Sequence, residues 1–265
     1  VNVEFRKYEG LGNDFIVVDT RAWPATNRSA LGPEAAQRLC DRHFGVGADG
    51  VLRLEPGAPG TVARMTVLNA DGSVAEMCGN GLRCVARYLH DVGEATTPEL
   101  IVDTGAGPLL CRFIDDDVEV SLGAVTDGGV ALVEVDGLTV RGRHISLGNP
   151  HFVVSAPGGR DEAARIGEAL QRHAAFPAGV NVSSRRFTGP GAATLHVYER
   201  GCGLTLACGT GAGATAAAAW LDGDVAWGTP LQIGLPGGTL VISGGLDGLW
   251  LKGPARAVFQ GVTTL

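Results

Sequence analysis

Cys78-Gly79-Asn80-Gly81-Leu82-Arg83-Cys84 and Cys208-Gly209-Thr210-Gly211-Ala212 decide how this chain is read. Each is a Cys-Gly-X-Gly turn that opens a run with helical spacing. After the first, Leu82, Val85, Ala86 and Leu89 fall at i, i+3, i+4 and i+7, which predicts a helix over 79–90 with one apolar face. On that pattern Arg83 and Arg87 belong to a solvated face. After the second, 209–221 is apolar nearly all round, as expected for a helix enclosed by a sheet.

Working outward, the two turns prove to be the ends of one repeated unit. Leu11-Gly12-Asn13-Asp14-Phe15-Ile16-Val17-Val18-Asp19 is echoed by Leu147-Gly148-Asn149-Pro150-His151-Phe152-Val153-Val154-Ser155, each a Gly-Asn turn leading into a β-branched strand. Helices are predicted over 33–43, with Pro at its start, and over 161–173, which opens on acidic residues. Strands follow at 63–68 and 193–198. The offset is 136 for the asparagines (149 − 13) and 130 for the cysteines (208 − 78). Features in the same order at nearly one offset imply two similar domains. Short strands punctuated by glycine, such as 118–122, 138–140 and 239–243, make the expected fold class α+β, with mostly antiparallel sheets each wrapped around a central helix.

Composition narrows the function. With 265 residues, of which 45% are hydrophobic and 18% charged, a full core is available and disorder is not expected. The net charge of −7 provides no footprint for nucleic acid. No membrane partner is expected either: 204–221 is uncharged, but it is rich in Gly, Ala and Thr rather than strongly apolar. Residues 1–20 lack a signal pattern. The six cysteines form no C-x-x-C pair, so they read as reduced and the protein as cytoplasmic. Cys40, Cys84, Cys111 and Cys202 are expected to be ordinary buried residues. Lys7 and Lys252 are the only lysines, which argues against a pyridoxal cofactor, since that chemistry needs a lysine for its internal aldimine.

Cys78 and Cys208 ask for chemistry. A cysteine just ahead of a helix sits where unpaired N–H groups and the helix dipole favour negative charge, which lowers a thiol pKa from about 8.5. The same N–H groups hold a carboxylate. Two such sites facing each other across a cleft would carry two acid/base thiols on opposite faces of one carbon beside a carboxylate. The rival is a phosphate-binding loop at 209–214. It lacks an acidic residue about 20 positions on, since Asp222 and Asp224 come too soon, and it lacks the P-loop lysine.

Taken jointly, the chain resembles the diaminopimelate epimerase family. The segments that carry the resemblance are Gly10-Leu11-Gly12-Asn13-Asp14-Phe15, Phe44-Gly45-Val46-Gly47-Ala48-Asp49-Gly50, Asn69-Ala70-Asp71-Gly72-Ser73, the two cysteine turns, Gly148-Asn149-Pro150-His151 and Tyr198-Glu199-Arg200-Gly201. They run in family order from near the first residue through the second turn. Asn80 and the Glu199-Arg200 pair favour this family over chains similar to proline racemase. The resemblance implies two pseudo-symmetric domains, 1–124 with 254–265 and 125–253, with the active site in the cleft between them. It also implies interconversion of LL- and meso-diaminopimelate, for lysine and peptidoglycan precursors, without cofactor or metal.

By residue-wise match, Cys78 and Cys208 are the acid/base pair. Gly79, Asn80, Gly209 and Thr210 hold the reacting carboxylate. Asn13, Asn69, Asn149, Asn181, Glu199 and Arg200 bind the rest of the substrate, and His151 and Glu199 tune the thiols. Leu204 stands where the family usually has Glu, and Gly50 where some members carry Gln. A homodimer is the expected assembly by base rate.

Overall fold

The computed structural model describes residues 2–156 and 159–264. Val1, Pro157, Gly158 and Leu265, the first and last of which bound the expected first domain, lie outside the described residues. The chain divides into two compact units, one of Val1–Val120 with Gly253–Leu265 and one of Ser121–Lys252.

The first unit begins with β1 (Asn2–Gly10) and β2 (Asn13–Asp19), an antiparallel hairpin with Gly10 opposite Asn13. Its two loop residues, Leu11 and Gly12, both have positive φ (57° and 78°), the conformation a two-residue hairpin demands. Two helices, α1 (Ala25–Arg28) and α2 (Pro33–Cys40), then carry the chain to β3 (Gly50–Glu55), which lies parallel to β2. α2 buries Ala35, Ala36, Leu39 and Cys40 against Phe5, Ile16, Val18, Val51 and Leu68. β4 (Ala63–Asn69) and the short β5 (Val74–Ala75) follow, and then α3 (Gly79–Asp91). After it come β6 (Glu99–Thr104), parallel to β4, then β7 (Gly107–Ile114) and β8 (Asp117–Gly123).

The second unit repeats this plan. β9 (Thr126–Val135) and β10 (Leu138–Ser146) are antiparallel, and β10 pairs with β11 (Pro150–Ser155). α4 (Arg160–Gln171) crosses to β12 (Asn181–Gly189), parallel to β11, and β13 (Ala192–Glu199) and β14 (Gly203–Leu204) follow. α5 (Gly209–Leu221) precedes β15 (Leu231–Leu235), parallel to β13, and β16 (Gly238–Gly245) and β17 (Gly248–Gly253) complete the series. The chain then returns to the first unit as β18 (Arg256–Thr264), antiparallel to β1, with Asn2 opposite Thr264.

Each pairing in the series β1 to β7 has a counterpart of the same sense in β10 to β16. The duplication therefore extends from four sequence features to the whole order of strands. The fold is α+β, with antiparallel pairings predominant and two parallel ones in each unit. The predicted helices and strands are present, most with ends moved by one to three residues; the strand expected at 138–140 runs on to Ser146. Among the described residues no helix is long and apolar enough to cross a membrane.

The central helices correct one expectation. Arg83 and Arg87 do not lie on a solvated face. Arg83 is 0% exposed, and Arg87 is half-buried with a hydrogen bond to the Asp116 carbonyl. α3 is packed by strands of its own unit on nearly every side, so it has no free face to offer. Cys202, expected to be buried, is exposed, whereas Cys40, Cys84 and Cys111 are buried as expected. Burial pushes the Cys40 thiol up to about 11 and those of Cys84 and Cys111 higher still, which keeps all three protonated.

Candidate active site

Cys78 is the N-cap of α3, in extended backbone (φ −142°, ψ 112°), and its Sγ accepts a hydrogen bond from the Gly81 N–H at 3.4 Å. Cys208 holds the same place on α5 (φ −136°, ψ 108°). The third residue of each helix must be glycine for a steric reason. A Cβ on Gly81 would lie 2.9 Å from Leu52 Cδ2, and one on Gly211 would lie 2.8 Å from Val197 Cγ2. Both helices thus press their first turns against the sheet, with their free N–H groups at the cysteine.

Around Cys78 the polar groups are amides and an ionic cluster. Asn80 donates to Asn13 Oδ1 at 3.1 Å, and Asn13 donates to Asp49 Oδ2 at 2.8 Å. Asp49 also accepts from the Asp14 N–H, and Arg42 bridges Asp14 and Asp49. Burial opposes ionisation of Asp14, but Arg42 and Lys7 outweigh it and hold that carboxyl down to about 2. Lys7 is buried, ion-paired to Asp14 at 2.6 Å and bonded to the Gly47 carbonyl. Asn69 bonds Ser73 Oγ at 2.9 Å within the Asp71-Gly72-Ser73 turn. Gly50, opposite Asn69 in the β3–β4 pair, has no room for a side chain, since a Cβ there would meet the Leu68 carbonyl at 2.9 Å.

Around Cys208 the polar groups form a relay. Thr210 Oγ1 lies 3.6 Å from Cys208 Sγ and 3.0 Å from His151 Nε2, and it accepts from Asn149 Nδ2 at 3.2 Å. His151 Nδ1 lies 3.2 Å from Ser183 Oγ. Cys208 is 5% exposed, and burial followed by the neighbouring Glu199 carboxylate pushes its thiol well above the ordinary range. Thr210 and the Gly211 N–H pull the other way. Glu199 accepts from Thr205 Oγ1 at 2.6 Å. Leu204, beside it, is a half-buried residue of β14 paired with Tyr198.

Asn181 donates to the Pro150 carbonyl and accepts from the Arg200 N–H at 2.9 Å, fixing the end of β13 where Glu199 and Arg200 sit. The Arg200 guanidinium rests on the Ala178 carbonyl, is exposed, and makes no ion pair among the described residues. Asn149 Oδ1 is buried with no hydrogen-bond partner among them.

Of the expected residues, Cys78, Gly79, Asn80 and Asn13 come together in the first unit. Cys208, Gly209, Thr210, Asn149 and His151 come together in the second, with Asn181, Glu199 and Arg200 around the end of β13. Asn69 is tied to its own turn. The sequence pattern does not single out the Lys7, Asp14, Arg42 and Asp49 cluster, Ser183 or Thr205. Lone charged and hydroxyl residues in strands and loops give no periodic signal. Among the described residues no group of three His, Cys, Asp or Glu side chains is placed to hold a metal ion.

His151 carries a pH consequence. Burial pushes its imidazole down to about 3 from an ordinary 6.5, so it is neutral in the folded protein near neutrality. A depressed folded pKa means that the unfolded chain takes the proton first as pH falls. The stability this group contributes is full above about 6.5 and is lost as pH falls through the folded value. His151→Gln should therefore flatten the acid side of the stability curve. Urea midpoints between pH 7 and 4 measure it, and the same slope in both proteins would contradict a neutral buried imidazole.

The fold is one shared by racemases and epimerases that bear no close sequence likeness to this chain. The structure resembles a hydroxyproline epimerase from Agrobacterium vitis (TM-score 0.73, 18% identity, covering 99% of this chain and 91% of that one). It also resembles a phenazine biosynthesis protein of the PhzF family from Bacillus anthracis (TM-score 0.75, 13% identity, 100% of both chains). Within that class the sequence is specific: a family model described as diaminopimelate epimerase matches residues 5–128 and 143–258, and the chain belongs to the diaminopimelate epimerase family. It is an isomerase of the epimerase type. A diaminopimelate epimerase from Synechococcus sp. (strain JA-3-3Ab) is 40% identical over 98% of both chains. One from Desulfitobacterium hafniense (strain DSM 10664 / DCB-2) is also 40% identical over 98% of both.

Proposed function

We propose that this enzyme converts LL-2,6-diaminopimelate to meso-diaminopimelate, in lysine and peptidoglycan precursor synthesis, with Cys78 and Cys208 as the acid/base pair. The observation that carries the reading is the matched placement of the two thiols at the N-caps of α3 and α5, in a chain of this family. One thiolate removes the α-hydrogen. The opposite thiol protonates the other face of the same carbon. The first-turn N–H groups at Gly79, Asn80, Gly209 and Thr210 would receive the carboxylate and stabilise the charge that develops on it.

Asn13, Asn69, Asn149 and Asn181 supply or position amides, and Glu199 and Arg200 supply one charge of each sign. That set suits a substrate with an amino-acid group at each end. His151, being neutral, would act on Cys208 by orienting the Thr210 hydroxyl rather than by charge. The reaction needs no pyridoxal group, and the two lysines agree, since Lys7 is locked to Asp14 and Lys252 lies on a strand of the second unit. Purified enzyme, dialysed exhaustively against chelator, is incubated with LL-diaminopimelate and the products are separated on a chiral phase. Appearance of the meso isomer without additions is expected. Activity that returns only with added pyridoxal phosphate or metal, or that acts equally on proline, would overturn the reading.

A further inference from the structure

The two halves share a plan but not a charge. Where α3 carries Arg83, the matching position on α5, at the same step beyond its cysteine, is Gly213. Arg83 is fully buried. Its Nη1 reaches the carbonyl of Gly79, the residue next to Cys78, at 3.4 Å, and its Nε reaches the Pro254 carbonyl at 3.3 Å. Both bonds are long, and Nη2 has no hydrogen-bond partner among the described residues. Gly10 on β1 makes the space, because a Cβ there would lie 3.0 Å from Nη2. Among the described residues Arg83 pairs with no carboxylate.

A guanidinium stays charged in proteins, and an uncompensated buried charge is strongly unfavourable. The groups that face Arg83 are few. Cys84 is kept protonated by burial and supplies no charge. Glu9, on β1, already accepts from the Gly12 N–H and has Arg256 at 4.0 Å. Asp117, at the start of β8, is only half-buried and makes no ion pair with Arg83 among the described residues, so water screens it. The remaining one is Cys78, whose own helix turn Arg83 underlies.

We propose that Arg83 is a positioning residue that holds Cys78 as the thiolate in the resting enzyme, so that Cys78 is the base for one substrate isomer and Cys208 waits as the acid. The second half points the same way. Cys208 is buried with Glu199 beside it and Gly213 in the place of Arg83, conditions that favour the protonated thiol. The division of labour between two otherwise matched thiols is then written into one unmatched residue. The inference rests on the thiol-pair reading above.

The test follows alkylation of each thiol by iodoacetamide against pH, with the Cys78 and Cys208 peptides quantified separately by mass spectrometry. In wild-type enzyme Cys78 should alkylate with the lower midpoint. In Arg83→Met that midpoint should rise by about one pH unit or more, with the Cys208 midpoint unchanged, and Arg83→Lys should keep most of the wild-type value. The acid limb of the pH profile of kcat/KM for the LL isomer should move with the Cys78 midpoint. A folded Arg83→Met enzyme with an unmoved Cys78 midpoint would overturn the proposal. If that variant does not fold, a wild-type Cys78 midpoint at or above that of Cys208 overturns it equally. Failure of the thiol-pair reading looks different, since Cys78→Ala would then keep its inverting activity whatever the alkylation curves show.

Discussion

Replacing Cys208 by Ala is expected to abolish inversion of the α-carbon, by a factor of at least about 10², the low end for one acid/base group. Cys78→Ala should do the same. The losses should not add in the double variant, because on the proposed mechanism each thiol needs the other to invert the carbon. In D₂O the wild-type enzyme should place solvent deuterium at the inverted carbon from the earliest turnovers, while recovered substrate carries little. A single base moving between faces would return the original hydrogen part of the time. Each single variant still has one thiol, so it should retain wash-out of the α-hydrogen from the isomer whose hydrogen faces that thiol. Near wild-type inversion by Cys208→Ala, followed by chiral separation, would show that another residue is the second acid/base group.

Arg200→Met is expected to give the next largest loss. Among the described residues the guanidinium pairs with no carboxylate; it is anchored by the Ala178 carbonyl and follows a backbone N–H fixed by Asn181. On the proposed reading it is oriented to receive a carboxylate from the substrate. A hydrogen bond to a charged group contributes about 1.5–3 kcal/mol, or roughly 10- to 100-fold in kcat/KM. Arg200→Lys should recover only part, because an ammonium cannot make the two parallel bonds of the planar fork. The informative comparison is a substrate that lacks the distal amino-acid end. Wild type should handle it poorly, and the substitution should then change little. An equal loss on both substrates would assign Arg200 to the shape of the β13 end rather than to recognition.

The repeat, the two cysteine turns and the helices behind them were legible because each is a local pattern: a glycine turn, a β-branched run, an apolar period. The pairing of β1 with β18 was accessible only through resemblance, since nothing local links Asn2 to Thr264. The solvated face expected for Arg83 fails for a physical reason. The apolar spacing of Leu82, Val85, Ala86 and Leu89 suggests a helix with a free side, yet the second helix of the same duplicated chain was plainly enclosed. A duplication that encloses one helix encloses the other, so the arginines of α3 had to lie inside or nearly so. Of the relay at Cys208, Thr210 and His151 were legible through the family's motifs. Ser183 was not, because one hydroxyl in a strand has no signature. It lies in the β12 strand position that Leu52 fills in β3, so an apolar side chain against Gly81 becomes a polar one against Gly211.

α5 runs Gly-Thr-Gly-Ala-Gly-Ala-Thr-Ala-Ala-Ala-Ala-Trp-Leu, and from Gly211 to Trp220 every residue is buried. Such a helix is closed to mutational drift in both directions. Enlarging an alanine overpacks it against strands on all sides, at about 1–3 kcal/mol. Shrinking one to glycine weakens the helix by about 1 kcal/mol. A saturation library across 211–219 should therefore tolerate little beyond Gly, Ala, Ser, Thr and Cys at every position. It should also lack the three-to-four-residue rhythm of permissive sites by which surface helices betray themselves in such libraries.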